Sequence, residues 1–146
     1  MLLSSVSQAQ QTLHGKAVKI MDGDTFDLLV DGNTLYRIRL QDIDCPERGQ
    51  DYYKVAKQAL GNYIFNQPIR VVYKKLDRYK RIIGAVYVGT KNINLQMVQN
   101  GFAWHFKKYS QDIRFAQAER SAKALSIGLW SQANPIAPWE YRRRGK

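Results

Sequence analysis

A single cysteine, Cys45, excludes an intramolecular disulfide, and with only His14 and His105 beside it no zinc constellation can be assembled. Two histidines far apart in the chain also speak against a Ser-His-Asp or Cys-His centre, because the base of such a centre needs a positioned partner. No apolar run approaches the ~20 residues that a membrane helix needs. Acids are scarce as well: 12 Asp and Glu stand against 23 Lys and Arg, for a net charge of +11. What is present is one domain's worth of chain. At 45% hydrophobic and 24% charged, 146 residues can bury one core, so neither a disordered tail nor a fibrous repeat fits.

The charge is unevenly spread. Residues 77–146 hold thirteen Lys and Arg against four Asp and Glu, whereas residues 1–76 hold ten against eight. All eight acids of the first part lie between Asp22 and Asp51. A basic chain with its carboxylates gathered into one stretch suggests a polyanion-binding surface around a place where negative charge is wanted, and the usual reason to want it is a cation. A solvated basic surface kept soluble by self-repulsion is the plainer alternative.

Residues 1–11 have no core-forming periodicity and read as a flexible leader or the remnant of a secretory signal, with Ser7-Gln8-Ala9 resembling a cleavage site. From Thr12 the period is two. His14–Met21, Thr25–Val30 and Leu35–Leu40 read as three strands joined by tight turns at Asp22-Gly23 and Asp31-Gly32-Asn33. In the third strand Tyr36, Ile38 and Leu40 share one face, and Arg37 and Arg39 the other. Tyr52, Ala56, Leu60 and Ile64 recur at helical spacing until Asn66-Gln67-Pro68 ends the run. Ile69–Tyr73 and Ile82–Val88 are two further strands flanking the polar loop Asp77-Arg78-Tyr79-Lys80-Arg81. A short helix over Leu95–Asn100 stops at Gly101, and a longer one over Gln111–Ser126 puts Phe115, Ala118, Ala122 and Leu125 on one stripe. Residues 134–146, with two prolines and Arg142-Arg143-Arg144, read as an extended basic tail, leaving residues 12–133 as the domain. The element order is that of an α+β chain: a five-stranded OB-type β-barrel with three helices.

Two acidic patches carry the chemistry. Asp22-Gly23-Asp24-Thr25 leaves strand 1 and Asp42-Ile43-Asp44-Cys45-Pro46-Glu47 leaves strand 3, on the same side of the meander. Either alone reads as a hairpin turn or a Pro-stiffened loop. Together they let Asp24 and Asp44 supply hard oxygen ligands to one cation. Glu47 is the nearby carboxylate free to accept a proton from water. Two forks, Arg39 and Arg81, converging beside a bound cation would match a phosphodiester bidentately, better than lysines. Tyr79, Lys107, Lys108 and Tyr109 interleave rings and charges as a single-strand binding surface requires. Phe102, Trp104 and Phe106 read as core, and His105 as a packing or surface histidine.

These motifs, with Arg39-Leu40-Gln41 before the second patch and Gly128-Leu129-Trp130 near the end, resemble in order the staphylococcal-nuclease-like (thermonuclease) family over residues 13 to 131. The resemblance implies a Ca²⁺-dependent endonuclease of low sequence specificity. It would act on DNA and RNA, single strands preferred, and leave 3′-phosphate and 5′-hydroxyl ends. By the same match Asp24 and Asp44 bind Ca²⁺ through side chains and Cys45 through its backbone carbonyl. Glu47 is then the general base or water-orienting group, Arg39 and Arg81 hold the scissile phosphate, and Tyr109 contacts nucleotide. Lys107 falls where a family member has tyrosine. Two positions depart from the pattern: Cys45 replaces threonine, and Lys80 replaces the glycine before the catalytic arginine. If that glycine supplies φ > 0, lysine costs on the order of 1 kcal/mol and re-aims Arg81. The expected protein is a secreted or periplasmic monomer without a membrane partner. A non-catalytic OB-type nucleic-acid-binding module and a protein-interaction domain with a basic face are the rival readings; the first lacks a use for the five charged groups, the second for the paired acid patches.

Overall fold

A computed structural model describes residues 8–145. Its strands and helices run β1 (Gln11–Asp22), β2 (Thr25–Val30), β3 (Thr34–Leu40), β4 (Ile43–Asp44), α1 (Tyr53–Ile64), β5 (Ile69–Leu76), β6 (Ile82–Val88), β7 (Lys91–Asn92), α2 (Ile93–Gln99), β8 (Trp104–His105), α3 (Ile113–Ala124) and α4 (Pro138–Arg144). A 3₁₀ turn over Gly128–Ser131 lies between α3 and α4. Residues 1–7 of the expected leader lie outside the described residues, and its last residue, Gln11, already opens β1 opposite Tyr73.

β1 is long enough to serve two partners. Its first half pairs with β5, from Gln11↔Tyr73 to Gly15↔Ile69, and its second half with β2, from Lys16↔Leu29 to Asp22↔Thr25. Register shifts at Ala17/Lys19 and Ile20/Asp22, both within the half paired with β2, bend the strand as bulges do. β2 pairs with β3 and β5 with β6, both antiparallel, and a parallel β3–β6 seam closes the five strands into a barrel. This is the OB-type α+β architecture expected from the element order.

Alternation fills the barrel. Phe26, Leu28, Ile38, Leu40, Val71 and Val86 are fully buried, and α1 closes one end with Ala56, Leu60 and Ile64. Ile93, Met97 and Val98 of α2 join the same core. Asn94 ties α2 to the seam: its side-chain oxygen accepts from the Val86 N–H, and its amide donates to the carbonyls of Gln41 and Gly84. Gly101 (φ 72°) follows the end of α2 as expected, and a Cβ there would lie 2.3 Å from the Ile127 carbonyl oxygen.

Two expectations need correction. Leu125 does not share the α3 stripe; the helix stops at Ala124, and Leu125 caps it with 68% of its surface exposed, while Phe115, Ala118 and Ala122 are buried. The basic tail is not extended either. Pro138 opens α4, with Glu140 in its first turn and Arg142, Arg143 and Arg144 in its last, so the charges follow the helix dipole.

β4 and β8 form a separate two-residue ladder, Ile43↔His105 and Asp44↔Trp104, which anchors the second acidic patch. Glu119 of α3 braces it. Its buried carboxylate accepts from the His105 N–H (2.7 Å) and from the ammonium groups of Lys107 (2.5 Å) and Lys123 (3.1 Å). Burial pushes the Glu119 carboxyl upward, but the hydrogen bonds from Lys107 and His105 outweigh it and hold the group below its ordinary range. A lowered pKa is stabilising above the unfolded-state value of about 4.3, and that stabilisation is lost as pH falls through the folded-state value. Glu119→Ala leaves the buried His105 N–H unpaired, so chemical denaturation at pH 7 should show a loss of about 1–3 kcal/mol. Glu119→Gln, which can still accept from that N–H, should lose less, and both differences should shrink in acid.

Candidate active site

The turn after β1 and the chain leaving β3 converge on one buried cluster. Asp24 sits in the turn because the Asp22 carboxylate accepts its N–H (3.0 Å), an Asx turn, while its own carbonyl accepts the Leu40 N–H (2.8 Å). The Asp24 side chain accepts from the Cys45 N–H (2.8 Å) and from the Thr25 hydroxyl (3.1 Å). The two acidic patches are therefore in direct contact.

Arg39 lies between them. Its Nε is 3.5 Å from Asp24 Oδ1 and its Nη2 3.3 Å from Asp44 Oδ1, while Nη1 donates to the carbonyls of Leu40 and Ile43. The side chain is 13% exposed. Burial pulls the Arg39 pKa down, but Asp24 and Asp44 overcome this and hold the guanidinium charged. Asp44 is 1% exposed. Burial raises its carboxyl to about 6, against the opposing hydrogen bond from an arginine described below. Asp22 is raised to about 7, first by burial and then by Asp24. Among the described residues, no group of three or more His, Cys, Asp or Glu is arranged as a metal cage.

Cys45 enters the cluster through its backbone. Its thiol is buried, and burial together with Asp24 pushes it well above its ordinary value, so no thiolate is present. Glu47 follows in a turn closed by Gln50, whose N–H donates to the Glu47 carbonyl and whose side-chain oxygen accepts from the Glu47 N–H. The Glu47 carboxylate is 38% exposed at the rim.

Arg81 occupies a different place. Its Nε pairs with Asp77 (2.7 Å), whose other carboxylate oxygen accepts the Arg81 and Tyr79 N–H groups. Lys80 has φ 63°, the left-handed region where glycine is favoured, as the Lys-for-Gly departure foretells. β6 begins beside β3, with Ile83 opposite Arg39, so Arg81 enters from the neighbouring strand while its Nε is held by Asp77. Tyr79 and Tyr109 are 65% and 69% exposed. Arg78 and Arg81 lie over the Tyr79 ring, and Lys108 over the Tyr109 ring. Lys107, expected to face nucleic acid, is engaged by Glu119. Trp104 and Phe106 are half-buried and pack against aromatic rings, and His105 is buried with Nε2 against the Ser110 hydroxyl.

Sequence reasoning missed one residue of the cluster. Arg142 reaches in from α4 and clamps Asp44 with both Nη atoms (3.1 and 2.7 Å), while Nη1 also lies 2.6 Å from Glu47 Oε1. Its guanidinium is held charged by the Asp44 bond, against partial burial. The signal was present: Pro138 at the first helical position, Glu140 in the first turn and three arginines in the last.

Comparison with known proteins shows the family of the chain. The family model described as "Staphylococcal nuclease homologue" matches residues 37–132. The chain is 41% identical over 145 residues to an "Uncharacterized endonuclease" of Haemophilus influenzae, covering 99% of this chain and 80% of that one. It is 41% identical over 143 residues to a "Micrococcal nuclease" of Shigella flexneri, covering 90% and 82%. It is 37% identical over 153 residues to "Protein ParB" of Escherichia coli, covering 97% and 86%. A barrel carrying both acid patches around Arg39, matched along nearly its whole length by such relatives, belongs to the staphylococcal nuclease homologue family.

Proposed function

We propose that this chain is a Ca²⁺-dependent endonuclease that hydrolyses phosphodiester bonds of DNA and RNA and leaves 3′-phosphate and 5′-hydroxyl ends. One observation carries the reading: Asp24 and Asp44, from two separate turns, meet around a single buried arginine. Nuclease relatives over most of the chain support the same class of activity. Weak binding by two carboxylates suits calcium-rich surroundings, in keeping with a secreted or periplasmic setting.

The donor chemistry fits a divalent cation. Asp24, Asp44 and Glu47 bring three carboxylates to the site against the one buried guanidinium of Arg39, and Asp22, its carboxyl pushed up to about 7, adds at most part of a charge. The residual charge has the size and sign that Ca²⁺ would neutralise, and every donor is a hard oxygen. Asp24 and Asp44 would hold it by their side chains and Cys45 by its backbone carbonyl, with waters completing the shell. Lewis-acid polarisation of a phosphoryl oxygen is what a bound Ca²⁺ would supply.

The remaining steps belong to the protein. Glu47, at the exposed rim, accepts a proton from water as that water attacks phosphorus, and the P–O5′ bond breaks, the departing O5′ taking a proton from solvent to leave as the 5′-hydroxyl product. Arg39 faces the charge that builds on the phosphoryl oxygens. Arg81 joins it by exchanging Asp77 for phosphate, a substitution of one anionic partner for another. Tyr79 and Tyr109 offer exposed rings, flanked by cations, on which unpaired bases can stack.

Cleavage of single-stranded DNA should vanish with chelator and return with Ca²⁺. Undiminished cleavage in a metal-free preparation would overturn the mechanism, and binding without cleavage would leave the non-catalytic module. Arg39→Lys and Arg81→Lys keep charge and lose the fork, so each should lower kcat at least ~10²-fold with little change in KM. The raised Asp22 carboxyl gives a pH signature. Its stabilising contribution is complete below the unfolded-state pKa of about 3.9 and is lost as pH rises through about 7. Melting temperatures of the metal-free protein between pH 4 and pH 8 should therefore fall less steeply in Asp22→Asn than in the parent.

A further inference from the structure

α4 is a docked element rather than a loose end. Trp139 stacks on Phe106 (5.5 Å between centroids, 19° between planes) and meets Trp104 edge-on at 5.5 Å. Gln50 donates to the Ile136 carbonyl (2.9 Å), and Ala137 is buried at the helix start. Tyr141 lies over Gly49, where an added Cβ would stand 2.5 Å from its hydroxyl. Gly49 has φ 96°, so the turn that carries Glu47 is shaped to receive the helix.

This docking delivers Arg142 to Asp44 and Glu47. The guanidinium takes both oxygens of Asp44, whose side chain has 1% of its surface exposed and whose other ion-pair partner is Arg39. Little of Asp44 is left for another partner. Arg142 itself is 40% exposed and lies beside Arg143, which is 76% exposed, so its route out leads directly to solvent.

We propose that α4 is a built-in competitor for the cation: Arg142 is the resident counter-ion of Asp44 and Glu47, and a divalent cation loads only as that guanidinium withdraws. The inference rests on the reading of Asp44 as a cation ligand. Competition of this kind is reciprocal. Docking of α4 weakens cation binding by the same factor by which the cation loosens α4. If the docked arrangement holds about nine molecules in ten, the apparent affinity is ~10-fold weaker than that of the open site.

The test is calorimetric titration of Ca²⁺ into the full chain, without nucleic acid, for the parent and three variants. Arg142→Gln removes the competitor, and Trp139→Ala loosens α4 from a position outside the site. Both should bind Ca²⁺ roughly 10-fold more tightly. Ca²⁺ should also speed tryptic cleavage at Arg142–Arg144 in the parent. Asp44→Asn should lose Ca²⁺ binding; if it binds as the parent does, the cation-site reading fails and the inference with it. If Asp44→Asn loses binding while Arg142→Gln and Trp139→Ala match the parent or bind more weakly, the site stands and the competition is refuted. Weakened nucleic-acid binding by Arg142→Gln at unchanged Ca²⁺ affinity would make Arg142 a phosphate contact and likewise refute it.

Discussion

The buried guanidinium of Arg39 is the interaction on which the rest of the site depends. Asp24 and Asp44 are almost fully buried and reach each other's neighbourhood from separate turns. Two carboxylates withdrawn from water repel one another, and each carries a desolvation cost of several kcal/mol unless paired. Arg39 pairs with both and also donates to the Leu40 and Ile43 carbonyls, so one side chain sets both the charge and the path of the loop. A lysine has neither the reach nor the planar fork to serve four acceptors at once.

That residue sits on the barrel's closing seam. Ile38, Arg39 and Leu40 run beside Ile82, Ile83 and Gly84 in the parallel pairing that completes the cylinder, and Asn94 bonds across the same junction. Closure of the core and assembly of the acid cluster are thus one packing event. The face that looks inward is apolar and the face that looks outward holds the charge, a division the alternation of β3 already encodes.

Much of this was legible from local chemistry. Asp-Gly turns, period-two alternation and the Asn-Gln-Pro stop each act over a few residues, and the corresponding elements lie where those signals put them. The meeting of Asp24 with the second patch followed from strand order alone. What escaped depended on distant partners. α4 is held by Phe106, Trp104 and Gln50, far away in the chain, and a run of three arginines reads as a solvated tail until those rings are in place. Lys107 reads as one cation of the strand-binding surface, and its ion pair with the buried Glu119, twelve residues on, has no local signal. The ion pair between Arg81 Nε and Asp77, four residues earlier, was likewise not legible from the motif.

The isolated cysteine has a consequence of another kind. Cys45 Sγ is sealed beneath the first turn, so close that a Cβ on Gly23 would lie 2.9 Å from it, and its thiol stays protonated. Disulfide exchange requires an accessible thiolate, and this sulfur is neither accessible nor ionised. The domain can therefore pass through an oxidising environment without cross-linking to a second copy or to a redox carrier. Its integrity under such conditions rests on barrel packing and ion pairs, with no bond in it that a reductant could break.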